Sequence, residues 1–201
     1  MCLIRIVTIN MPRTFFLAFF FFTFLLTGCS SSNNKKESPK EHFDIPGFFE
    51  KQVNELQAIN PAVEKKINKD GKTETKTLEN IDWKKELAPF FDVDINKPSW
   101  IKSFSADTVF LTSNRFEITY TANEDETPVK QVKLLFENNS CNFVQINKKS
   151  NNKLFSFYQE LEYRKGEGYK INGYQSVKYA FDTSYEIISE FIINKNVQSK
   201  Q

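Results

Sequence analysis

The sequence predicts an α+β domain: an antiparallel β-sheet meander of about six strands, preceded by two N-terminal helices and a projecting hairpin. Three observations carry this reading. From Ser105 onward, apolar and polar residues alternate with period two, as in Phe116/Ile118/Tyr120, Val132/Leu134/Phe136 and Phe155/Phe157/Gln159/Leu161/Tyr163. Turn-forming stretches separate the runs: Asn123–Pro128, Asn138-Asn139-Ser140, Asn147–Asn152, Gly166-Glu167-Gly168 and Asn172-Gly173. Upstream, Ile45, Phe49, Gln52/Val53, Leu56 and Ile59 recur at helical spacing.

Each element has a local cause. Asp44 caps the first helix and Pro46 is tolerated in its first turn, while Pro61 stops it at Asn60. Its single apolar stripe is of the width that packs on a domain's own sheet. Ala62–Leu78 reads as a hairpin with Asp70-Gly71 at the tip, the dipeptide of a type I′ turn. Its strands carry Glu64, Lys65, Lys66, Lys72, Glu74 and Lys76, so it has little to bury and projects or forms an edge. A second helix spans about Ile81–Phe91, with Ile81, Leu87, Phe90 and Phe91 as its apolar face, and Pro89 shortens or kinks it. Beyond the first strands, Val177/Tyr179/Phe181 alternate less cleanly, and Tyr185/Ile187 and Phe191/Ile193 close the meander.

Ahead of these elements lies an unbroken apolar run, Phe15–Leu26, then Leu26-Thr27-Gly28-Cys29 and the polar Ser30-Ser31-Ser32-Asn33-Asn34. The run has 12 residues, fewer than the ~20 that a membrane-spanning helix needs. An A-x-A cleavage site is missing. The pattern resembles the lipobox of bacterial lipoproteins, in which the peptidase cuts before a diacylglyceryl cysteine. That resemblance makes Cys29 the lipid-attachment residue and residues 1–28 the signal peptide. Residues 29–41 then form a flexible tether with about 20 Å of average reach, and 42–196 a single domain. Met11-Pro12-Arg13 supplies the positive n-region, so translation starts at Met1 or at Met11. At ~0.8 kcal/mol per buried methylene, such an anchor is effectively permanent. By resemblance to enterobacterial sorting, Ser30 favours the outer membrane. The Phe-, Asn- and Lys-rich composition resembles that of Bacteroidota, whose surface-exported lipoproteins carry an acidic cluster after the cysteine; Ser-Ser-Ser-Asn-Asn-Lys-Lys in its place implies a domain that faces the periplasm.

Composition narrows the chemistry. Residues 1–28 hold Arg5 and Arg13 and no acid, which leaves 25 basic against 25 acidic side chains in the rest. No basic excess or stripe marks a nucleic-acid binder. With Cys29 lipidated, Cys141 has no partner for an intramolecular disulfide, and a lone cysteine opening a strand reads as a small buried hydrophobe. His42 is the single histidine, which excludes a histidine-based metal site. A Ser-His-Asp triad would have to use it where the tether meets the domain, a poor place to preorganise a base, so it reads as a solvated tether residue.

Other motifs fall short. Asp92, Asp94 and Asn96 alternate as in a calcium loop, but Lys97 and Ser103 stand where an EF-hand needs glycine and glutamate. They read as turn formers. Gly166-Glu167-Gly168 lacks the third glycine and the helix of a nucleotide loop. Glu124/Asp125/Glu126 reads as a solvated turn. Asn138-Asn139-Ser140 matches the eukaryotic glycosylation sequon, which has no bearing in a bacterial lipoprotein. Asp107-Thr108-Val109 resembles the short O-glycan acceptor of Bacteroidota exported proteins and otherwise opens a strand.

Asn60-Pro61, Asp70-Gly71, Ile81-Asp82-Trp83-Lys84-Lys85-Glu86-Leu87 and Asp94-Ile95-Asn96-Lys97-Pro98-Ser99-Trp100 together resemble an uncharacterised family of Bacteroidota outer-membrane lipoproteins. The resemblance implies an address and a fold, and no activity. Two functions stay open. One is a non-catalytic interaction or accessory protein, monomeric, with an envelope protein as partner. The other is a periplasmic carrier or sensor of an apolar ligand, favoured by the aromatic content. An enclosed apolar cavity of roughly 300 Å³ or more separates the second from the first. Neither needs a catalytic residue, cofactor or metal. Cys29→Ala is expected to leave an uncleaved precursor that takes no palmitate analogue. Labelling of that variant would refute the assignment.

Overall fold

The computed structural model describes residues 41–124 and 127–193. Cys29, the 1–28 signal and nearly all of the tether lie outside the described residues, as do Asp125 and Glu126. Helix α1 is Ile45–Ile59, followed by strands β1 (Ala62–Lys69) and β2 (Lys72–Leu78). Two single-turn helices, α2 (Trp83–Glu86) and α3 (Ala88–Phe91), come next. Seven strands then run in sequence: β3 (Phe104–Thr112), β4 (Arg115–Ala122), β5 (Val129–Glu137), β6 (Ser140–Asn151), β7 (Phe155–Arg164), β8 (Gly168–Val177) and β9 (Phe181–Ile192). They form one antiparallel sheet of nine strands, ordered β2-β1-β9-β8-β7-β6-β5-β4-β3.

The sheet holds nine strands where about six are predicted, because both strands of the hairpin join it and the meander itself has seven. Within the meander, three local readings change. The Asn147–Asn152 stretch reads as a loop, but residues up to Asn151 pair within β6, their side chains giving way to the ladder. Asn172-Gly173 reads as a turn but lies inside β8, where Gly173 faces the ring of Tyr185. A Cβ there would stand 2.1 Å from Tyr185 Cζ, so the glycine marks a close approach within the strand. Conversely, Val177/Tyr179/Phe181 is no strand: the chain turns at residues 178–180, with Tyr179 at φ +66°. The closing fragments merge into the single strand β9.

Of the two places expected for the hairpin, projection or a sheet edge, it takes the edge. It does not project. β1 pairs with β9 along its whole length, Val63 opposite Phe191 and Lys65 opposite Ser189, and β2 becomes the sheet edge. Its tip follows the expected chemistry, with Asp70 at φ +50° and Gly71 at φ +81°. The predicted second helix is broken at Leu87 into α2 and α3. Pro89, in the first turn of α3, supplies no amide to continue α2.

One sheet face is apolar, as the alternation requires, and α1, α2 and α3 lie over it. Asp44 caps α1 by accepting from the Gly47 amide, and Asn60 ends it in the left-handed region. Ile45, Phe49, Val53 and Leu56 are buried, with Ile59 exposed at the helix end. Phe49 stacks on Phe90 at 4.7 Å and meets Tyr163 edge-on at 5.2 Å. Trp83, fully buried, meets Phe191 edge-on at 5.2 Å. Trp83 therefore belongs to the core centre, beside the predicted apolar face of Ile81, Leu87, Phe90 and Phe91.

Gly173→Ala is expected to destabilise by about 1–3 kcal/mol through overpacking against Tyr185. A double-mutant cycle with Tyr185→Ala, read by urea unfolding, should show the two costs to be strongly non-additive. Additive costs would mean that the ring does not impose the glycine.

Candidate interaction surfaces

Chemistry-bearing residues gather first on the inner face beside α2. Lys65, Ser189 and Tyr169 stand in one cross-strand row on β1, β9 and β8. Glu86 reaches down from α2 to pair with Lys65, Nζ to Oε1 at 2.7 Å, and also accepts from the Tyr169 hydroxyl. Burial raises the Tyr169 phenol well above its ordinary pKa, and the bond to Glu86 raises it further. Ser189 is buried, and its Oγ lacks a partner of good hydrogen-bond geometry although it lies near enough to Tyr169 to lower that pKa somewhat. The row superficially suits a serine nucleophile with a lysine base. Its wiring opposes that chemistry. Lys65 is ion-paired to Glu86, and the Tyr169 hydroxyl donates to the same carboxylate. The arrangement pins α2 to the sheet.

A concavity of about 490 Å³ opens on the opposite face at the β7–β8 turn. Glu162, Arg164, Lys170, Ile188 and Glu190 line it, with the Gly166-Glu167-Gly168 turn at its rim. It is open and ringed by charged side chains, unlike the enclosed apolar cavity that a carrier needs. Gly166 and Gly168 both have positive φ, which agrees with hairpin use.

The remaining sequence candidates settle as follows. His42 is not a solvated tether residue. It is half-buried, its Nε2 lies 2.7 Å from the Ile101 carbonyl, and its ring packs edge-on to Tyr120 at 5.2 Å. Asn96 fixes this entry point, its side chain accepting from the His42 amide and donating to the His42 and Phe43 carbonyls. Asp94 serves as a turn former, accepting from the Asn96 amide. No cluster of three or more potential metal ligands occurs among the described residues. Cys141 is buried, and desolvation pushes its thiol up to about 12, although the bond to the Phe143 carbonyl works in the opposite direction. Asp107-Thr108-Val109 lies in the middle of β3 rather than at its start, and is exposed.

Strand β3 is the surface that sequence reasoning missed. It is the sheet edge opposite β2 and pairs only with β4 among the described strands. The two edges differ in kind. β2 carries Lys72, Glu74 and Lys76, charges that discourage further pairing. β3 carries Asp107 alone, and it exposes Val109, Phe110 and Leu111, with Phe110 76% accessible. The signal was present as the apolar run Val109-Phe110-Leu111, but edge position depends on which strands pair. Exposed apolar side chains also gather where the β6–β7 and β8–β9 hairpins end, at Leu154, Tyr179 and Phe181.

Against this geometry, comparison with known proteins found no matching family model, curated protein or solved structure.

The Cys141 thiol carries on the order of a thousandfold less thiolate at pH 8 than an ordinary cysteine. Its alkylation in the folded protein, followed by peptide mass spectrometry, should therefore be at least about a hundredfold slower than in urea. Equal rates would mean that the β5–β6 end opens readily.

Proposed function

We propose that this chain is a lipid-anchored envelope lipoprotein that acts as a non-catalytic interaction protein. It is held at the outer membrane through Cys29, faces the periplasm, and receives an extended segment of an envelope protein along β3. One observation carries the reading: a nine-residue edge strand with one charge and three exposed apolar side chains, in a sheet whose other edge is blunted by lysines. Strand addition takes its affinity from main-chain hydrogen bonds and its selectivity from alternate side chains. Val109 on one face of β3 and Phe110 on the other offer such contacts, with Leu111 exposed at the bulge that follows.

The alternative, a carrier or sensor of an apolar ligand, draws support from the aromatic content. The packing weighs against it, because between helices and sheet Phe49, Phe90 and Tyr163 pack on one another and the buried Trp83 packs on Phe191. A serine–lysine enzyme reading is weakened because Lys65 and Tyr169 both engage Glu86.

A photo-crosslinker at Asp107 is expected to capture one envelope protein in the cell, and one at Thr75 on β2 none. Val109→Lys with Leu111→Lys should abolish the capture without lowering the unfolding midpoint. The purified protein without its partner should sediment as a monomer. Equal capture from both edges would overturn strand addition, and near-stoichiometric recovery of one lipid would favour the carrier. Turnover of an ester, glycoside or peptide that is lost on replacing a single carboxylate would sink both.

A further inference from the structure

The sheet is not covered evenly. The row Gln159–Gly173–Tyr185 crosses β7, β8 and β9, and the three strands continue four residues past it to the row Phe155–Val177–Phe181. Four residues of strand are about 13 Å. The two hairpins end side by side, tied by a bond from the Lys178 amide to the Leu154 carbonyl. At their ends Tyr179 is 93% accessible and Leu154 66%, with Phe181 half exposed. Tyr179 holds φ +66°, a conformation that bulky residues rarely adopt, and this turn throws its ring outward at the tip.

Charge distinguishes this end of the strands from the other. Residues 148–158 and 174–184 carry Lys148, Lys149, Lys153 and Lys178 against Asp182, with Asp70 of the β1–β2 tip bonded to Thr183 and Ser184 beside them. At the opposite end, Glu162, Glu167 and Glu190 balance Arg164, Lys165 and Lys170. Behind the apolar tip, Lys149, Tyr158 and Tyr174 stand in one row on the outer face, Tyr158 opposite both neighbours. Tyr158 and Tyr174 are each partly exposed. Leu154 and Tyr158 are four residues apart, so the tyrosine row lies about 13 Å behind the tip. Apolar tip, then tyrosine and lysine at that depth, is the order in which a bilayer presents acyl chains, interface and anionic headgroups. The chain also enters the domain on this end of the sheet: His42 packs beside Phe104, which pairs with Ala122 at the β4–β5 end of its strand pair.

We propose that the paired ends of the β6–β7 and β8–β9 hairpins dock into an anionic lipid surface, inserting Leu154, Tyr179 and Phe181 with Lys149, Lys153 and Lys178 on the headgroups. This contact is separate from the β3 surface and holds the domain in one orientation on the membrane. A tether at Cys29 alone would leave the orientation free.

The test uses the full chain reconstituted into vesicles of phosphatidylcholine, with or without one-quarter phosphatidylglycerol. Tyr179→Trp places an indole at the tip, and Glu167→Trp places one at the opposite end, with the unsubstituted chain supplying the background of Trp83 and Trp100. Brominated acyl chains should quench the tip indole and not its counterpart, more strongly with phosphatidylglycerol and less at high salt. Adding Lys149→Glu, Lys153→Glu and Lys178→Glu should lower the inserted-to-free ratio about tenfold or more while near-ultraviolet dichroism stays unchanged. Quenching that is equal at the two ends, absent at the tip, or indifferent to the lysines would overturn the proposal. None of these results depends on whether β3 captures a partner.

Discussion

The contact of α1 with the sheet through Phe49 and Tyr163 is the interaction on which the rest of the domain depends. A sheet with one apolar face is insoluble until something covers that face, and here no disulfide shares the task, since Cys141 is the one free thiol described. Phe49 reaches both Phe90 and Tyr163, so a single side chain joins α1, α3 and β7. Each aromatic so buried contributes roughly 1.5–3 kcal/mol. Tyr163 brings a hydroxyl into this apolar setting, and Gln52 of α1 receives it at 3.0 Å. Burial drives that phenol's pKa upward, which keeps the donor protonated. The bond fixes the register of helix on strand, because a shift of α1 by one residue would leave both groups unpaired in the core.

The same logic explains the ion pair at the margin. Buried charge pairs add little net stability, but breaking one is costly. Lys65 is the inward-facing lysine of a hairpin that otherwise offers the core little beyond Val63 and Ile67. By meeting Glu86 above and flanking Ser189 in the sheet, it fixes how a poorly apolar hairpin docks: β1 against β9, under α2. The hairpin that composition marks as projecting is thereby held in the sheet by a charge.

This bears on what the sequence made legible. Local rules were readable: the Asp44 cap, the Asp70-Gly71 turn, the inward set Val132, Leu134 and Phe136, and the burial of Cys141. What escaped reading depended on partners distant in the chain. Nothing near Val63 announces Phe191 as its neighbour. Asn147 and Asn151 look like loop residues until β7 pairs with them. Gly173 looks like a turn until Tyr185 occupies the missing Cβ. Val177-Lys178-Tyr179-Ala180-Phe181 has the alternation of a strand, yet the chain reverses there at the cost of a left-handed tyrosine. The candidate surfaces share this property, since an edge or an end exists only once strand order is known.

Once the core is satisfied, the leftovers are asymmetric, and the asymmetry is informative. A sheet free of outside contacts would blunt both of its edges and keep aromatics away from its hairpin ends. This one blunts β2 with lysine and glutamate and leaves β3 nearly uncharged. It balances charge at the β7–β8 turn and concentrates lysine with Leu154, Tyr179 and Phe181 at the other end. Fold stability demands neither departure, because the helices already cover the central rows from Val63 across to Tyr120. Exposed apolar side chains that the core does not need are a liability in a free domain, and they are retained here in two places that differ in chemistry. The edge offers unpaired backbone with little charge, which suits another chain. The hairpin ends offer rings and cations with no groove, which suits a surface.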